Sequence, residues 1–160
     1  MLEQSSTPVN PSYDGGIKTV IDTQVVMDWL VFKNPAVSPI VERVESGALR
    51  WLGLMNMREE MLHVLGRGIA SSYGPDLEYI VRMFEQHCHL MASVPPPAVR
   101  LVCRDKDDQM FIDLALASGS RWLISRDRAV LALAKRAAKV GLEVLSPEKW
   151  IHLHSKSFPE

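Results

Sequence analysis

Two hydrophobic periods alternate along most of the chain. Ile17-Lys-Thr-Val-Ile21 is short and β-branched and runs straight into Asp22, the pattern of a strand. Residues 23–32 are mostly apolar and predict a helix, which Asn34-Pro35 breaks before a second helix begins at Ser38-Pro39. Gly47 ends that pair. Residues 49–54 form the next strand candidate, and residues 57–65 predict a third helix closing near Gly66. Residues 71–75 read as a loop, followed by a helix through Leu77, Ile80, Val81 and Phe84. Residues 87–94 approach a strand, and Pro95-Pro-Pro97 is an extended connector toward residues 99–103.

The central stretch follows. Asp105, Asp107 and Asp108 open a segment in which Phe111, Ile112, Leu114 and Ala115 recur at helical spacing, so the acids are expected in the first turn of an amphipathic helix. At about 100° per residue, Asp107 and Asp108 fall on the apolar side and Asp113 points to solvent. Gly119 stops the helix, and residues 122–125 read as a buried strand delivering Asp127 just past its carboxyl end. Residues 129–140 predict a helix, 142–145 a last short strand, and 146–150 a capped helical ending with Pro147 in its first turn. Strand and helix alternate throughout, which predicts a three-layer α/β/α sandwich around a mainly parallel sheet. Residues 1–16, rich in Ser, Pro and Gly, read as a flexible leader, and residues 17–160 as a single domain.

Composition narrows this little. The chain has 160 residues and a formal net charge of −1, so any nucleic-acid contact must come from a local basic patch. Its two cysteines make no disulfide framework, and neither a signal peptide nor a membrane span is legible, so the expected setting is the cytoplasm. Cys88 lies between His87 and His89, but three consecutive residues cannot all face one ion, and ordinary packing explains them.

The acids change the picture. Asp22 and Asp127 each follow a strand, the place where open α/β sheets bind ligands. On the third helix the wheel puts Glu60 at the border of the stripe of Met57, Met61, Val64 and Leu65, while Glu59 lies almost opposite. With Asp108, and Asp107 beside it, four acidic positions point toward one place. Singly, each has an ordinary reading, since an acid at a helix start is usually a cap. Together, without matching Arg or Lys, they must share protons or hold cations, and Mg²⁺ or Mn²⁺ suits an all-oxygen donor set.

The order of Val20-Ile-Asp-Thr-Gln24, Glu60-Met-Leu-His-Val-Leu-Gly-Arg67, Arg104-Asp-Lys-Asp-Asp-Gln-Met-Phe111, Leu114-Ala-Leu-Ala-Ser-Gly119 and Leu123-Ile-Ser-Arg-Asp127 resembles the PIN domain, and most closely its bacterial branch of VapC-like toxins from toxin-antitoxin pairs. The resemblance implies a PIN-like, Mg²⁺- or Mn²⁺-dependent endoribonuclease whose catalytic, metal-binding acids are Asp22, Glu60, Asp108 and Asp127, with Asp108 preferred over Asp107. It makes Ser125 a supporting hydroxyl and Gln24 a substitute for the usual Asn. It also implies RNA as substrate, a cognate antitoxin as partner, a homodimer, and early apolar helices offered to that partner. Arg126, where the family often has Gly, has two readings, a substrate-phosphate contact or an exposed arginine. Arg104, Lys135 and Lys139 are further candidates for substrate binding, although cations near a helix end are favourable anyway. Rival readings are an inactive RNA- or protein-binding module on the same fold and a phosphoacceptor signalling domain.

Overall fold

Five short strands, β1 (Ile17–Ile21), β2 (Leu49–Leu54), β3 (Cys88–Met91), β4 (Trp122–Ile124) and β5 (Glu143–Leu145), form one sheet in a computed structural model that describes residues 16–157. Their order is β3-β2-β1-β4-β5, and every pairing is parallel. The chain therefore lays strands outward in one direction from β1, then returns to β1's other side and continues the opposite way. At that reversal the chain leaves the paired carboxyl ends of β1 and β4 toward opposite faces of the sheet, which opens the crevice in which such sheets bind ligands.

The helices are α1 (Thr23–Leu30), α2 (Ser38–Ser46), α3 (Met55–Gly66), α4 (Leu77–His87), α5 (Gln109–Ser118), α6 (Arg128–Leu131), α7 (Ala134–Ala138) and α8 (Pro147–His154). Because successive strand residues face opposite sides, the sheet splits the core in two. Ile21, Trp51, Trp122 and Ile124 face Val25, Trp29, Ile40, Ile80, Phe84 and Trp150 of α1, α2, α4 and α8. Val20, Leu52 and Leu123 face Phe111, Ile112, Leu114, Val130 and Ala137 of α5, α6 and α7. The result is the expected three layers. Ile112, Leu114 and Leu123 are wholly buried, and each such side chain contributes about 1.5–3 kcal/mol. On β2, a Cβ added to Gly53 would lie 2.8 Å from the Cys88 sulfur, so glycine there leaves room for the Cys88 side chain.

Several expectations need correction. The late helix is two pieces, because Leu133 bonds back to Val130 at 3.0 Å, a tightened turn between α6 and α7. Asp107 and Asp108 do not belong to the first turn of α5; a separate 3₁₀ turn, Lys106–Asp108, precedes it. Asp113 does not point freely to solvent but is half-buried. It accepts from Gln109 Nε2 at 2.9 Å and stands 3.6 Å from Arg100. The apolar residues of α1 and α2, including Val25, Leu30, Ile40 and Val44, are buried in the core rather than offered outward. The leader expectation falls, apart from Gly16, outside the described residues.

Candidate functional site

Asp22 sits where β1 meets α1. Its backbone is extended (φ −74°, ψ 167°), as an N-cap requires, and one carboxylate oxygen accepts from Val25 N at 3.1 Å. Its other oxygen accepts from the Ser125 hydroxyl. β4 holds the Asp22 backbone too, through Asp22 N to Ile124 O at 3.0 Å. Asp22 is only 3% exposed, and burial is the main force raising its carboxyl above the ordinary range. Hydrogen bonds from Ser125, Val25 and the Arg126 backbone oppose this, and the neighbouring Asp127 adds to it.

Past β4 the chain repeats the device. Ser125, fully buried, accepts from Asp127 N at 2.9 Å through the same hydroxyl oxygen that donates to Asp22. Asp127 caps α6 by accepting from Ala129 N at 2.8 Å. Ser125 thus ties the two strand-end acids into one unit.

The third part comes from the acidic turn. Asp105 caps it, accepting from Asp107 N at 3.0 Å, and Asp108 N bonds back to Asp105 O at 3.1 Å. In a 3₁₀ turn, residues three apart eclipse one another, so Asp105 and Asp108 stack on one side. Oxygens of Asp105, Asp108 and Asp127 all lie within 4.8 Å of one another. One Asp108 oxygen, Oδ2, is shielded from solvent and has no hydrogen-bond partner among the described residues. Burial first, then a contact with Asp127 that calls for a shared proton, and repulsion from Asp105 and Asp22 push Asp108 up to about 7.

Asp22, Asp108 and Asp127 open onto a cavity of about 460 Å³ whose other walls include Met27, Met57, Met61 and Phe111. Glu60, Asp107 and Gln24 line it but are exposed, so the structure brings Asp22, Asp108 and Asp127 together with Asp105, while Glu60 stands on the wall. Gln24 makes no side-chain hydrogen bond to Asp22 among the described residues, whose carboxylate is held by Val25 and Ser125. Arg126 reaches the cavity, but its Nε lies 2.6 Å from Asp28 and its Nη1 2.8 Å from Glu148, so its charge is already answered. Lys135 and Lys139 are exposed on and just after α7 and do not line the cavity, nor does the exposed Arg104.

Sequence reasoning missed Asp105 as a site residue and Asp28 altogether. The signal for Asp105 was its three-residue offset from Asp108, which keeps the two on one face of an α-helical wheel and brings them into line in a 3₁₀ turn. Nothing in the sequence pairs Asp28 with Arg126, which are 98 positions apart.

A carboxylate-lined crevice at the reversal point of a parallel sheet, with helices on both faces, defines a doubly wound α/β domain with an acidic site. The chain belongs to the PIN domain family, whose model matches residues 18–129 and so spans every acid from Asp22 to Asp127. PIN domains are generally nucleases and typically bind divalent metals. No curated protein matches the chain.

Proposed function

We propose that the protein is a divalent-metal-dependent endoribonuclease that hydrolyses RNA phosphodiester bonds. The observation carrying this is the Asp105, Asp108 and Asp127 oxygens within 4.8 Å of one another, with Asp108 Oδ2 buried and unanswered. A donor set made only of carboxylates suits Mg²⁺ or Mn²⁺ and does not suit soft ions. Asp108 and Asp127, with Asp105 and Asp22 beside them, would hold the ion; Glu60 borders the same cavity. Bound there, the ion would supply an activated water and neutralise charge on the phosphate.

The chain's own groups do the rest. Val25 and Ser125 fix both Asp22 oxygens, so this carboxylate keeps one orientation. The Ser125 oxygen, by accepting from Asp127 N, sets the backbone that carries the last acid. Asp108, raised to about 7, shares its proton with solvent near neutrality and would give it up to bind a cation.

By resemblance we read the protein further as the toxin half of a toxin-antitoxin pair, working in the cytoplasm as a homodimer with a cognate antitoxin. A short reading frame immediately upstream, whose product relieves growth arrest on co-expression, supports that part.

Isothermal titration with Mn²⁺ and an RNA cleavage assay, each with Asp22→Asn, Asp108→Asn and Asp127→Asn, test the enzyme reading. Heat of binding and Mn²⁺-dependent, EDTA-sensitive cleavage are expected for the native chain and are lost in Asp108→Asn and Asp127→Asn. Unchanged Mn²⁺ binding in all three variants overturns it. RNA binding without cleavage in Mn²⁺ makes the protein a binding module instead.

A further inference from the structure

Just before the acidic turn, the chain runs irregularly, with neither helix nor strand over residues 98–103. The segment is clamped from one side. Gln109 accepts from Cys103 N at 2.7 Å and donates to Leu101 O at 2.8 Å. Leu101 is half-buried and Cys103 buried, while Arg100, Val102 and Arg104 between and beyond them are exposed, Val102 at 68%. The outward residues therefore recur every second position. On an extended chain that spacing is about 6.6 Å, comparable to one phosphate step along a stretched single strand.

A groove of about 560 Å³ follows this strip, lined by Arg100, Val102, Arg104 and Lys106 with Cys103 and Gln109 and by no carboxylate. Arg104 and Lys106 make no ion pair among the described residues, and Arg100 keeps its side chain 62% exposed beside Asp113. Arg104 and Lys106 also flank Asp105, so the strip leads directly to the carboxylates. A polyanion entering the acidic crevice meets repulsion there, and Arg126 cannot offset it because Asp28 and Glu148 already neutralise it.

We infer that residues 100–106 form a track for single-stranded RNA. Arg100 and Arg104, two phosphate steps apart, and Lys106 beyond them hold phosphates of the strand leading into the crevice, and Val102 packs on a ribose or base between the two arginines. The track rests on the nuclease reading only for its choice of polymer. A duplex would need contacts to two backbones, which a single strip does not offer.

The test is fluorescence anisotropy of a short fluorescein-labelled oligouridine with the full chain in EDTA, across a salt series. In Arg104→Ala/Lys106→Ala the affinity at low salt is expected to fall about tenfold or more, and the slope of log K against log salt to shrink by about 1.4, or roughly 0.7 per lost phosphate contact on a single strand. Lys135→Ala/Lys139→Ala leaves both unchanged, and Val102→Ser lowers affinity without altering the slope. Native affinity and slope in the Arg104/Lys106 variant, no binding by the native chain, or equal binding of a duplex overturns the track. Binding with this salt pattern but no cleavage in Mn²⁺ upholds the track and removes the nuclease reading. Cleavage with an unchanged slope in the variant does the reverse.

Discussion

Ser125 donates its hydroxyl to the Asp22 carboxylate across the seam between β1 and β4, and both side chains are buried. Removing the donor leaves a buried carboxylate oxygen without its partner. Ser125→Ala should lower stability by about 1–3 kcal/mol, read as a shift of the urea midpoint with unchanged slope. It should also raise the Asp22 carboxyl further, since the Ser125 bond is a main force holding it down, and so move the onset of Mn²⁺ binding to higher pH. Unaltered stability and pH onset would mean that this bond carries no weight.

Asp108 predicts an unusual dependence of stability on pH. Its folded value, about 7, lies above that of an unfolded aspartate. Between about pH 4 and 7 the folded chain therefore binds more protons than the unfolded one, so in EDTA this group makes stability fall as pH rises through that window. Divalent cations reverse the trend, because they bind the ionised form. Melting temperatures measured with EDTA and with Mn²⁺ should diverge as pH rises from 5 to 8. Asp108→Asn should flatten the EDTA curve and close the gap, and a native gap independent of pH speaks against this account.

The Arg126 bridge predicts an asymmetry. Asp28 is 10% exposed in its side chain and Glu148 is 57% exposed, although both pair with the same guanidinium. Arg126→Met leaves the Asp28 charge buried and unanswered, a loss of about 3 kcal/mol, the low end for a broken buried pair since Arg126 itself is partly solvated. Glu148→Gln should cost under about 1 kcal/mol. Equal effects in thermal unfolding count against the proposed role of Asp28.

Glu60 and Gln24 give the sharpest separation within the crevice. Both line it and both are exposed. Glu60→Gln should weaken Mn²⁺ binding much less than Asp108→Asn, by roughly tenfold or less, since an exposed carboxylate contributes through a high-dielectric medium. Gln24→Asn should keep or raise RNA cleavage, because Asp22 already has both of its partners. A large loss in either variant, followed by titration and steady-state cleavage, assigns that side chain a tighter role than its exposure suggests.

Much of this was legible in the chain because strand endings are strongly patterned. Ile17–Ile21 running into Asp22 and Trp122-Leu-Ile running through Ser125 to Asp127 are visible as apolar runs followed by acids, and alternation of strand and helix is enough for the layers. What was not legible depends on local geometry that a wheel averages away. Asp105 and Asp108 meet at a separate 3₁₀ turn that Asp105 caps, where the spacing of the apolar residues suggests the first turn of α5 itself. Gln109 looked like an ordinary early helix residue, yet its amide clamps the preceding segment. The destiny of Arg126 depended on Asp28, a charged residue among the apolar positions of α1, whose partner arrives only in the folded state.

The Ser125 to Asp22 bond joins positions 103 apart, and Asp127 lies two residues further still. During synthesis, then, no ribosome-bound fragment ending before Asp127 can assemble the crevice, however well its earlier helices form. The nuclease activity proposed above would therefore be withheld until β4 and the residues that follow it have emerged.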